Sequence, residues 1–181
     1  MQTPLRSCLV GFFLLIFFSR VEAQKIYADS LEKILMQADV PKEDKVVILC
    51  KLARASFEKN LPLSFKRANE ALHIGASLSD GRGKAMAFAT LIHLYVRQKD
   101  MQNAYKSRDS AQYYASRTTD RIAKGFVLFR SGWLDMINDE NDKAIVKLLK
   151  ALDFYKGQQA DEYESNSFRN RSDTSHFIIW F

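Results

Sequence analysis

Apolar residues recur along this chain at the spacing of helices. Val46, Val47, Leu49, Leu52, Ala53 and Phe57 form one stripe, closed by Asn60-Leu61-Pro62. A second helix is expected from about Leu63 to Ser77, with Phe65, Ala68, Ala71 and Leu72 on its apolar side. The same period predicts helices over 82–98, 102–116, 121–138 and 141–156. Glycine and proline are scarce and cluster near the breaks, at Pro41, Pro62, Gly81, Gly83 and Gly157. No segment sustains an alternation of period two, so the expected class is all-α.

The pattern also repeats over a longer interval. Ala144 and Ala151 sit on the inward stripe of NDKAIVKLLKALDFYK, residues 141–156. Forty residues earlier stand Ala104 and Ala111, and forty before those Ser64 and Ala71. Phe65, Tyr105 and Ile145 keep the interval, as do Leu72, Gln112 and Leu152, and Ile48, Phe88 and Leu128. Asp80 and Asp120 each precede a lysine by four residues and suit helix N-caps. Repetition at this length predicts stacked supersecondary units. Three are expected within 43–158, at about 43–80, 81–120 and 121–158, each an A helix, a short turn and a B helix. Small residues at fixed places let paired helices approach to roughly 8–10 Å. Ahead of them, 24–40 is expected to cap the stack with a helix whose apolar face is Leu31, Ile34 and Leu35.

This spacing resembles the tetratricopeptide repeat. In the second unit Phe88, Leu91, Tyr95, Ala104 and Ala111 occupy the family's marked positions, with Ile92 where a small residue is usual. The third supplies Leu128, Gly132, Ala144 and Ala151, with Ser131 and Asp135 in place of Leu and Tyr. The first supplies Leu49, Leu52, Ala53, Ser64 and Ala71, with a turn one residue shorter. The resemblance covers about residues 43–156, at a period longer than the family's usual length of about 34. It implies a right-handed α-α superhelix, a TPR-like solenoid, that binds a protein or peptide ligand in its inner groove without catalysis. Carried onto this chain, the groove positions hold Arg54 and Phe57, then His93 and Arg97, then Phe129, Trp133 and Met136. Phe57 and Phe129 would serve equally as core, and Trp133 could instead pack on the preceding B helix, whereas Arg97 should be exposed.

The first 23 residues carry Arg6, an eleven-residue apolar run from Cys8 to Phe18, and Val21-Glu22-Ala23. That run falls short of the ~20 residues a membrane span needs, so it reads as a signal peptide cleaved after Ala23. A periplasmic or secreted location is then expected, with no stable membrane span. Repeats behind such a leader resemble the exported sensor region of bacterial signalling proteins with histidine kinase or DNA-binding outputs. A truncated input region of that kind is the alternative to a free-standing scaffold. The net charge of +6 is spread as single Lys and Arg residues among acids, unlike the concentrated patch of a nucleic-acid binder. Cys50 alone would survive cleavage, which leaves no intrachain disulfide and reads as a small apolar residue in a helix.

Candidate chemistry is sparse. His73, His93 and His176 have no partners at metal-ligand spacing, so no metal site or cofactor is expected. Gly81-Arg82-Gly83-Lys84-Ala85 lacks the spacing and the hydroxyl of a phosphate loop and reads as a turn opening a helix. Asp139-Glu140-Asn141-Asp142 lacks the spaced ligands of a calcium loop and reads as a polar turn. No nucleophile–base arrangement stands out, and the chain is not expected to be an enzyme. Residues 159–168 continue the register to Phe168 as the start of a fourth repeat, after which the tail to residue 181 turns irregular and ends in five apolar residues, Phe177 to Phe181. Truncation and a tail folded over the end of the stack are the two readings of that end.

Overall fold

Three helices of this chain open in the same way. Asn60, Asp100 and Asp120 each accept a hydrogen bond from the backbone N–H three residues on, at 3.0, 3.1 and 2.7 Å. Each side chain satisfies one of the amides that a helix start leaves without a partner. The structure, a computed structural model, describes residues 25–156, so the leader and the tail expected from 159 onward lie outside the described residues. A first helix, α1, spans 25–35. Six more follow: α2 (Lys42–Ser56), α3 (Leu61–Ala76), α4 (Arg82–Arg97), α5 (Met101–Ala115), α6 (Arg121–Ile137) and α7 (Asn141–Tyr155). No strand occurs among the described residues.

α2 packs on α3, α4 on α5 and α6 on α7, as three hairpins that stack in sequence order. The fold is an all-α, solenoid-like array of helix pairs, as the apolar period predicts. The B helices α3, α5 and α7 begin at 61, 101 and 141, forty residues apart. The turns of the last two hairpins repeat as well. Lys99 and Asp139 adopt left-handed φ of 62° and 61°. In each, the next N–H closes a bond of 2.9 Å on the carbonyl five residues back, Asp100 on Tyr95 and Glu140 on Asp135. The first hairpin turns otherwise, with Asn60 N–H bonding the Ser56 carbonyl at 2.8 Å. Four residues separate α2 from α3, against three in each of the other two hairpins, so this turn is not the shorter one that the resemblance implied.

The small residues lie where helices meet. Ser64, Ala104 and Ala144, and Ala71, Ala111 and Ala151, are all buried. In the third hairpin a methyl group on Gly132 would stand 3.1 Å from the Ala144 carbonyl oxygen. Between the first two hairpins the approach is closer: a Cβ on Gly75 would meet Gly83 backbone at 2.8 Å, and one on Gly83 would meet Gly75 Cα at 2.9 Å. The segment around Gly83 is thus a helix start pressed on its neighbour, as its reading as a turn requires.

Three local expectations change. α3 begins two residues before Leu63, because Pro62 falls in its first turn, where a missing N–H costs nothing. Asp80 sits one residue ahead of the Gly81 N-cap and accepts from Arg82 N–H at 2.9 Å, with Thr118 Oγ1 donating to it at 3.3 Å. On α1 the covered face is Tyr27, Ala28, Leu31 and Leu35 over Ile48 and Leu52, while Ile34 is 41 % exposed. Intervals of four place 27, 31 and 35 on one stripe, and Ile34 stands beside it. An ion pair between Glu32 and Arg67 of α3 fastens the same helix, and Arg67 also donates to the Leu52 carbonyl at 3.3 Å.

Candidate functional site

α2 packs on α4 and α4 on α6, so the A helices form a continuous layer, whereas the B helices make their main contacts with A helices. The three A helices, with Phe57 at the end of α2, carry every residue expected to line the groove.

These residues come together as a ladder. The Phe57 ring, at the end of α2, meets His93 of α4 edge-on with centroids 4.6 Å apart. His93 meets Trp133 of α6 at 4.9 Å. Arg97 lies over the Phe57 ring at 4.8 Å, with Glu58 at 3.8 Å from its guanidinium. Arg54 crosses from the first hairpin to the third and lies over Phe126 at 5.3 Å. Arg130 lies over the same ring at 5.3 Å, and over Phe129 at 5.2 Å. Guanidinium planes against phenyl faces gain both dispersion and attraction to the ring quadrupole.

His93 sits in the middle of this assembly. Burial, and then the charges of Arg130, Arg97 and Arg54, hold its pKa well below the ordinary 6.5. The imidazole is neutral at pH 7. Arg130 Nη1 stands 3.5 Å from His93 Nδ1, and a guanidinium can only donate. Nδ1 is then the acceptor, and the ring proton resides on Nε2.

No protein-family model, curated protein or solved structure matches this chain. The geometry alone sorts the expected groove residues. Arg97 is exposed, as its charge requires, and Arg54, Phe57, Phe129 and Met136 are partly exposed. His93 and Trp133 are 3 % and 2 % exposed, so they build the wall from within and leave its surface to their neighbours. Two members of the assembly, Phe126 and Arg130, escaped the sequence reading. Their signal is spacing: 126, 130 and 133 share one face of α6 at intervals of four and three. Elsewhere, Cys50 is buried in the core. Asp135, which stands forty residues after Tyr95, is buried with Lys147 and Arg108 as its charge partners. Among the described residues no group of three His, Cys, Asp or Glu side chains could hold a metal ion, and no helix is long and apolar enough to cross a membrane.

Proposed function

We propose that this chain is a non-catalytic repeat scaffold of tetratricopeptide type, exported after removal of residues 1–23, that binds a protein or peptide segment along α2, α4 and α6. The observation that carries the reading is a row of accessible cations and rings, Arg54, Arg97, Phe57 and Phe129, on three successive A helices, seated on the buried Phe126 and Arg130. Arginine and aromatic side chains are the types on which binding energy concentrates. Held on rigid helices by their own rings, they lose little freedom when a ligand arrives.

Panning a displayed random-peptide library against the whole chain tests this. Selected peptides should bind Arg54→Glu/Arg97→Glu at least ~10-fold more weakly, about 1.4 kcal/mol, with an unchanged circular dichroism spectrum. Trp133 is unsuitable as a probe, because its burial ties its loss to unfolding. Peptides that bind the double variant as tightly as the parent place the ligand elsewhere and overturn the groove.

A further inference from the structure

The outer face of α7 differs from those of the other B helices. Ile145, Val146 and Leu149 are 56, 52 and 52 % exposed. Ile145 and Leu152 correspond, forty residues on, to Phe65 and Tyr105 and to Leu72 and Gln112. Those places face the next A helix: Phe65 packs on Tyr95 at 5.1 Å, and Gln112 Nε2 lies 3.4 Å from Ser131 Oγ. A following hairpin would cover Ile145 and Leu152 in the same way. Val146 and Leu149 are another matter. Their counterparts are Lys66 and Lys106, and Asn69 and Asp109, polar and exposed even between stacked units. Continuing the stack therefore leaves these two apolar side chains wet.

Their surroundings are self-complementary. At ~100° per residue, Asp142, Ile145, Val146, Leu149, Leu152, Asp153 and Lys156 all fall within about 60° of Leu149 around the helix. Asp142 and Lys156 each stand seven residues from Leu149, on opposite sides. Laid antiparallel on an identical helix with Leu149 on the two-fold axis, Asp142 of each copy comes level with Lys156 of the other. In the same register Ile145 of each copy lies against Leu152 of the other on one edge of the stripe, and Val146 lies beside Asp153 on the other edge. Lys156 bonds Asp153 at 2.6 Å within its own helix, but both are exposed and such a pair exchanges at little cost.

We propose that α7 is a self-association surface, where a second copy of this chain packs antiparallel with Leu149 at the two-fold axis. The contact is isologous, so it closes at two copies. One helix stripe falls short of the ~800 Å² per partner of a standard interface, so the dimer is weak. Sedimentation equilibrium of the chain from about 10 µM to about 1 mM should show dimer growing with concentration. Leu149→Arg should raise Kd at least ~10-fold. Asp142→Lys should weaken association by opposing like charges, and Asp142→Lys/Lys156→Asp should restore it, an effect that fades in high salt. Circular dichroism and thermal melts of each variant identify any loss that comes from unfolding. A chain that stays monomeric throughout, or a dimer that survives Leu149→Arg, overturns the proposal. A double charge reversal that associates no better than either folded single variant overturns it too.

Discussion

His93 shows how an ordinary side chain becomes pH-sensitive through its neighbours. Its folded pKa lies well below 6.5, so below that pH the unfolded chain takes up a proton that the folded chain refuses. Stability from this residue is therefore level above about pH 6.5 and falls as pH drops toward the folded value. Urea midpoints measured at pH 7 and pH 5 should show the loss, and His93→Gln should show a smaller one. An equal fall in both would assign the effect to other groups. The same residue marks a limit of the sequence. The repeat resemblance assigned both His93 and Trp133 to a groove, and their rings do meet. How deep they lie depends on Phe57 and on the arginines that close over the rings, contributed by other helices. Arg130 was overlooked for the converse reason, since a charge between apolar residues reads as solvent-facing until two phenyl rings are seen beneath it.

Between elements, crossing distance matters more than helix propensity. Alanine normally stabilises a helix over glycine by up to ~1 kcal/mol. At Gly83 the added methyl would collide with Gly75 Cα, backbone that cannot turn aside as a flexible side chain would. Gly83→Ala should destabilise the chain by about 1–3 kcal/mol in urea unfolding, the cost of overpacking. A gain in stability would show that the α3–α4 crossing opens freely. The hairpins themselves were legible because their crossings demand small residues, and Ala104, Ala111, Ala144 and Ala151 repeat that demand at a fixed interval. Helix starts were less so. Pro62 looked like a break but lies inside the first turn of α3, and Asp80 shares its oxygens with Arg82 and Thr118. Ile34 was assigned to the face of α1 that Tyr27, Leu31 and Leu35 in fact supply.

At the scale of the molecule, each hairpin leans mainly on its neighbours, so a loss at one end should stay near that end. Leu31 is the buried centre of the contact between α1 and the first hairpin. Leu31→Ala should cost about 2–3 kcal/mol, the lower part of the range for core Leu→Ala changes, because an end contact can relax. Hydrogen exchange should quicken most in α1, α2 and α3 and least in α6 and α7. Equal quickening throughout would mean that the array unfolds as one block. Arg54 departs from this neighbour-to-neighbour arrangement. It reaches past α4 to the Phe126 ring, joining the first hairpin to the third across the A-helix layer. Tension that draws the first and third hairpins apart would pull that guanidinium off its ring, whereas pressing them together would not. Arg54 thus works as a tendon, and at about 1–2 kcal/mol for a partly desolvated contact on the buried Phe126 ring it gives way under modest pull and re-forms on release.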